Sequence, residues 1–254
     1  MNILEVRNVV KVYGEPHVDG ATTALNNIEL SVDEGEFIAI MGPSGSGKTT
    51  LLNILSGIDK PTSGEIVIRG QNLNDMKGDA LGQFRRTSLG YIFQDFNLLE
   101  SLTVKENIML PMILEKKKSA EMEEKVQYLA KLFQIESILN KYPYNVSGGQ
   151  QQRAAVSRAL VNEPQIIFAD EPTGNLDSKS STAIMECLER VVQELSTTVL
   201  LVTHDVFAAS YCHRVVFIRD GTVHSSIEKK SDRKQFFNEI MVHHALLGGS
   251  HHDI

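Results

Sequence analysis

Apolar residues recur along this chain in three kinds of pattern, and each predicts a different element. Near the start, Ile3, Val6, Val9, Val10 and Val12 mark a first strand region ending at Tyr13-Gly14. Ile28, Leu30 and Val32 alternate with polar neighbours, the period-2 signature of a half-buried strand. Phe37-Ile38-Ala39-Ile40-Met41 is an unbroken apolar run, which fits a parallel strand covered on both faces. Runs of the same kind return at Ile166-Ile167-Phe168-Ala169, Val199-Leu200-Leu201-Val202 and Val215-Val216-Phe217-Ile218. The polar stretch 14–23 reads as a loop. Asp33-Glu34-Gly35-Glu36 and Pro61-Thr62-Ser63-Gly64 read as turns, the second leading into a strand at Ile66-Val67-Ile68.

Helical spacing appears elsewhere. Leu51, Leu52, Ile54 and Leu55 supply one apolar face, closed by Gly57, which suits a left-handed cap. The region 95–163 differs from its surroundings. Ser119 is placed to cap a helix whose first turn carries Glu121, Glu123 and Glu124, and Met122, Val126, Leu129 and Phe133 then form one stripe. This region reads as a helical insert. Near the C-terminus, Phe236, Phe237, Ile240 and Met241 make an apolar face whose expected role is packing on the chain's own core. Strands alternating with helices predict an α/β fold with a mostly parallel sheet.

Composition narrows the picture. The 254 residues fit one large domain or a core with a subdomain, and 42% apolar residues are enough for a sizeable core. A net charge of -7 argues against broad nucleic-acid binding, because phosphate-tracking surfaces are usually basic. Cys187 and Cys212 form no C-x-x-C pair and read as reduced thiols of a cytosolic protein. The start, MNILEVRNVV, lacks the layout of a signal peptide, and no run approaches the ~20 apolar residues of a membrane span. His243-His244 and His251-His252 do not read as metal ligands, since adjacent helical residues point apart. Lys116-Lys117-Lys118 reads as a solvated loop.

Candidate chemistry begins with Gly42-Pro43-Ser44-Gly45-Ser46-Gly47-Lys48-Thr49, a P-loop between a buried strand and a helix. Glycines let the backbone curl so that its N–H groups face a phosphate, and the helix N-terminus points its positive end there. Lys48 supplies a point charge for the β- and γ-phosphates, and Thr49 a hydroxyl for Mg²⁺. The P-loop alone leaves kinases, GTPases and ATPases open. Asp170-Glu171 ends a buried strand, which places two carboxylates in the ligand crevice of an open α/β sheet. Asp170 is expected to hold Mg²⁺ through a water, and Glu171 to orient or deprotonate the attacking water. Val199–Val202 likewise ends in Thr203-His204, and His204 is the candidate partner of the γ-phosphate. Ser147-Gly148-Gly149-Gln150 opens a helix and forms a second anion-type site, hard to use within one subunit.

With these motifs in order, the chain resembles the ATP-binding cassette (ABC) ATPases from Ile3 to about Ser226. Ser147-Gly148-Gly149-Gln150 between a P-loop and the acidic strand is close to diagnostic, with Val146 standing where Leu is commoner. The resemblance implies further roles. Tyr13 would stack on adenine, and Gln94 would sense Mg²⁺ and water. Thr50 would belong to the phosphate site, and Gly174-Asn175-Leu176-Asp177 would cross a dimer interface. It implies a P-loop NTPase with a mostly parallel core sheet, an N-terminal antiparallel β subdomain and an inserted helical subdomain. The expected division is a core at 1–94 and 164–228, helices at 95–163 and an extension at 229–254. It also implies a head-to-tail homodimer sandwiching two ATP molecules, each between Lys48 of one copy and Ser147-Gly148-Gly149 of the other.

Gly90–Leu99 and Pro172–Asp177 resemble the group containing macrolide-export, lipoprotein-release and bacitracin-resistance ATPases. Ala208–Gly221 and the tail Phe236–Met241 with Leu247-Gly248-Gly249 resemble the bacitracin- or lantibiotic-resistance type. That type implies a separate multi-span permease, often a sensor histidine kinase, and a place on the cytoplasmic side of the cell membrane. A soluble ABC ATPase acting on ribosomes or DNA is the rival of another class. Such proteins usually carry two cassettes or long coiled coils, and this chain has one cassette and no sustained heptads.

Overall fold

A computed structural model describes residues 1–14 and 20–248. Part of the predicted loop over 14–23 and the tail residues Gly249, His251 and His252 lie outside the described residues. The chain opens with two long strands, β1 (Asn2–Tyr13) and β2 (Thr22–Asp33), paired antiparallel. Strand β3 (Phe37–Met41) leads to helix α1 (Lys48–Leu55), then β4 (Ser63–Ile68) and β5 (Gln71–Asn72). Sheet order β2-β1-β4-β5 gives the antiparallel N-terminal layer.

Ser63 and Gly64, expected in a turn, already belong to β4. At Gly64, φ is +95° and a Cβ would sit 2.4 Å from the Asn8 carbonyl oxygen, so the backbones meet too closely for any side chain. The β1–β4 register shifts at this point, between Arg7 and Val10.

Helix α2 (Asp79–Ser88) feeds β6 (Leu89–Ile92). Helices α3 (Val104–Leu114), α4 (Ser119–Leu132) and α5 (Gly148–Leu160) follow with no strand between them. Ser119 is the first helical residue of α4 and not its cap; Lys118 holds the cap position, with no side-chain cap bond. The first turn is tied instead by the Lys117–Glu121 pair at 3.0 Å. The stripe itself is buried as the spacing predicts at Val126, Leu129 and Phe133.

Strands β7 (Ile166–Asp170), β8 (Thr198–Val202), β9 (Arg214–Arg219) and β10 (Thr222–Glu228) complete the second sheet, with α6 (Ser178–Leu195), α7 (Val206–Ala209) and α8 (Arg233–Gly248) packed around it. Its order is β10-β9-β3-β8-β7-β6, parallel except for the β10 edge. All five residues of β3 are buried because the sheet is covered on both sides. Alternation sends Phe37, Ala39 and Met41 into a core shared with α3–α8, and Ile38 and Ile40 into one shared with α1 and the N-terminal sheet. Cys187 and Cys212 are both free and buried. Of the predicted C-terminal apolar face, Phe236 and Ile240 are fully buried, whereas Met241, a step around the helix, is 48% exposed.

Candidate active site

The parallel strands deliver their C-terminal ends to one edge, and the chemistry collects there. β3 stops at Met41 and the P-loop crosses to α1. A Cβ on Gly42 would lie 2.1 Å from the Ile218 carbonyl oxygen and 2.7 Å from Ser46 Oγ, so only glycine fits. Gly45 and Gly47 have φ of +79° and +99°, which L side chains rarely adopt. Helix α1 has no side-chain N-cap, so its first N–H groups remain available to an anion. Lys48 Nζ donates to the Gly42 and Pro43 carbonyls at 2.9 and 2.8 Å. Burial lowers the Lys48 pKa, and the charges of Glu171 and Asp170 oppose that shift.

Asp170 ends β7. Burial raises its pKa first and the Glu171 charge adds to this, while Lys48 and the Thr49 hydroxyl pull it down. Its buried Oδ1 has no hydrogen-bond partner among the described residues. Glu171 follows in a left-handed conformation, φ +45°, with its N–H donated to the Val202 carbonyl at 2.9 Å. Three donors from the end of β8 meet its carboxylate. Thr203 Oγ1 lies 3.0 Å from Oε2; the His204 N–H and ring Nδ1 lie 3.0 and 2.8 Å from Oε1. An ionised carboxylate only accepts, so Nδ1 carries the proton in this arrangement and Nε2 is left as the free ring nitrogen.

A cavity of about 690 Å³ unites these groups. Gly42, Ser44, Gly45, Gly47, Lys48, Thr49 and Thr50 line it together with Gln94, Asp170, Glu171 and His204. Ser46 is buried beneath the loop, its Oγ unpartnered among the described residues. Sequence reasoning missed three contributors: the start of β2 at Thr22–Ala24, the buried Thr203 that fixes Glu171, and His244 of α8. Thr203 could have been found from its place between a buried strand and His204.

Tyr13, the run Ser147-Gly148-Gly149-Gln150 and Asp177, all predicted site residues, lie apart from this cavity lining. Tyr13, at the end of β1, is 44% exposed, with Lys11 Nζ 4.7 Å from its ring centroid and its hydroxyl donating to Asp59 at 3.0 Å. Ser147 caps α5 in a reciprocal box. Its N–H donates to Gln150 Oε1 at 3.0 Å, and its Oγ accepts from the Gln150 N–H at 3.4 Å. Asp177 caps α6, accepting from the N–H groups of Lys179 and Ser180 at 3.0 and 2.9 Å and from Ser180 Oγ at 2.8 Å. The bond from the Ser180 N–H does most to lower its pKa. Gly148 and Gly149 open α5 against this cap: a Cβ on Gly149 would stand 2.7 Å from Ser180 Oγ.

Helix α5 also reaches the loops of the cavity. Gln152 Nε2 donates to the Pro172 carbonyl at 2.7 Å, and Arg158 Nη2 to the Phe96 carbonyl at 2.8 Å. Asn175 Nδ2 donates to Asp95 at 2.9 Å and to the Gln94 carbonyl at 3.2 Å.

A family profile described as ABC transporter matches residues 25–174. The ABC transporter ATP-binding protein YxdL of Bacillus subtilis is 50% identical over 254 residues, covering 100% of this chain and 97% of that protein. The bacitracin export ATP-binding protein BceA of Halalkalibacterium halodurans is 47% identical over 254 residues, covering both chains completely at 100%. Among solved structures, a dimeric post-hydrolysis state of the ATP-binding cassette MJ0796 of Methanocaldococcus jannaschii, bound to ADP and Pi, superposes with a TM-score of 0.82. It is 40% identical and covers 90% of this chain and 99% of its own. The chain therefore belongs to the ABC transporter family, and within it to the ATP-binding ATPase subunits.

Proposed function

We propose that two copies of this chain clamp two ATP molecules and drive a separate membrane permease of the antimicrobial-peptide type. One observation carries the reading. A single cavity holds the P-loop, both acids, Gln94 and His204, while the Ser147 cap, a second anion-type site, stands outside it. A head-to-tail pair uses both sites at once, the cap of one copy closing the cavity of the other, and the MJ0796 cassette is dimeric.

In this mechanism the P-loop amides and Lys48 bind the phosphates, and Lys48 leaves its two carbonyls for them. Tyr13 stacks on the base and Asp177 lies at the seam. The unpartnered Asp170 Oδ1, with the Thr49 hydroxyl and the Gln94 side-chain oxygen, is an all-oxygen set suited to Mg²⁺. The ion would neutralise charge developing on the phosphates. The Glu171 carboxylate orients the attacking water and accepts its proton, while His204, in the doubly protonated ring form that keeps its Nδ1–H on Glu171, donates Nε2–H to the γ-phosphate. The core at 1–94 and 164–228, the helices at 95–163 and the extension at 229–254 form the working divisions.

Among the described residues no helix is long and apolar enough to cross a membrane. Docking to a permease is supported by a 390 Å³ groove between α1, α2, β6, α3 and α5. Its apolar lining includes Ile58 and Leu114, which are 42% and 57% exposed, and Arg85 and Arg86 border it. An amphipathic helix from the cytoplasmic side of a permease fits such a groove. The likeness to the bacitracin export protein BceA along the whole chain supports a system of the bacitracin- or lantibiotic-resistance type. A sensor histidine kinase is a further partner in this reading.

The test is Glu171→Gln. ATP hydrolysis should fall by at least about 100-fold, and with Mg²⁺ and ATP the variant should elute from size exclusion at dimer mass. A variant that hydrolyses ATP normally and stays monomeric overturns the role given to Glu171 and the clamp together.

A further inference from the structure

Helix α8 enters the cavity from a direction no motif announces. Phe236 and Ile240 anchor it in the core, and the same i, i+4 stripe continues to His244. His243, one position back, stacks on Phe217 with ring centroids 5.8 Å apart and planes 16° from parallel. Phe217 pairs in β9 with Met41 of β3, the residue before Gly42. The stack thus fixes the rotation of α8 beside the root of the P-loop. Adjacent helical residues diverge by about 100°, so His243 points to the sheet while His244 lines the 690 Å³ cavity with Lys48 and His204. The His244 side chain is partly buried and has no hydrogen-bond partner among the described residues.

We propose that His244 is a further nucleotide-binding residue, donating an imidazole N–H to the phosphate chain, so that the C-terminal helix closes one wall of the ATP site. This rests on the ATP-binding reading of the cavity. The chemistry around it favours an anion: the P-loop amides and Lys48 converge on the same space, and an unpartnered ring nitrogen is the donor such a ligand completes. α8 then becomes a reporter of occupancy, because the core clamps its first half and the bound phosphates its second.

The experiment compares wild type, His244→Ala, His244→Gln and Met241→Ala by calorimetry with Mg²⁺ and a non-hydrolysable ATP analogue. Met241→Ala alters an exposed residue of the same helix and controls for damage to α8. His244→Ala should weaken the affinity about tenfold. His244→Gln, which keeps an N–H donor, should recover a good part of that loss, and Met241→Ala should match wild type. In steady state His244→Ala should raise KM for ATP and leave kcat within about twofold. Equal affinities for wild type and His244→Ala, or equal losses in His244→Ala and Met241→Ala, overturn the inference. Wild type that binds no ATP analogue would instead overturn the reading of the cavity itself.

Discussion

Glu171 sits at φ +45°, a conformation costly for a residue with a side chain, and three donors from Thr203 and His204 hold its carboxylate there. Strain of this kind persists only where surrounding contacts over-determine the geometry, and here they aim a carboxylate at the cavity. Asp170 beside it is also uncomfortable. Its Oδ1 is orphaned among the described residues, and burial raises its pKa. The sign follows directly. A folded-state pKa above the unfolded value means that ionised Asp170 opposes folding at neutral pH, and that the lost stability returns as pH falls through the raised pKa. Asp170→Asn should therefore raise the Tm of the nucleotide-free protein at pH 7. The gain should shrink in acid, and Mg²⁺-dependent hydrolysis should be lost. Calorimetric melts from pH 7 to pH 4 check this; a variant less stable at pH 7 contradicts the electrostatic account. At this scale the acids and the P-loop were legible because each terminates an unbroken apolar run. Thr203 and His244 were not, since their importance lies in what faces them across the fold.

Among elements, α5 links the Ser147 cap to the cavity. Arg158, partly buried and with its pKa brought down to about 10 by burial, donates to the carbonyls of Phe96 and Asn97. Those two residues have φ of +60° and +49°, a pair of left-handed steps just after Gln94. Arg158→Ala leaves both carbonyls unpaired and the strained turn unsupported, at a cost of about 1–3 kcal/mol. Urea unfolding should show a lower midpoint at unchanged slope, and turnover should fall as Gln94 loses its fixed position. Full turnover would detach Arg158 from the geometry of Gln94. The elements themselves were read unevenly from the sequence. Strands β3, β7, β8 and β9 stood out because both faces are buried and their residues carry no alternation to misread. The α4 start was misplaced because Ser119 is a good cap by type, yet the extended backbone falls at Lys118. β4 begins earlier than expected because Gly64 serves close strand contact rather than a turn.

For the whole molecule, two sheets share one interior. The antiparallel layer covers one face of the parallel sheet, helices cover the other, and all strand ends that matter open on one side. Ligand linkage makes the proposed clamp measurable by stability. At 100-fold excess over Kd, ATP should stabilise the Glu171→Gln protein by about 2.7 kcal/mol from binding alone. If two copies share each nucleotide, Tm with Mg²⁺ and ATP should rise with protein concentration, while Tm without nucleotide should not. Scanning calorimetry over a tenfold concentration range distinguishes this from binding to single copies, which gives no such dependence. The assembly was legible only as a puzzle, a second anion cap with no use in one chain. The groove bordered by Arg85 and Arg86 left no signal, because its walls come from five separated segments.

Ser180 Oγ stands between the Asp177 carboxylate and the backbone of Gly149. Gly149 leaves room for that hydroxyl, so the roots of α5 and α6 pack side by side as one shoulder. That shoulder begins a few residues after Glu171 of its own chain, and in the proposed pair its tip rests on the neighbour's triphosphate. In that pair, a shift of the loop behind Glu171 would reach the neighbour's phosphates through this shoulder.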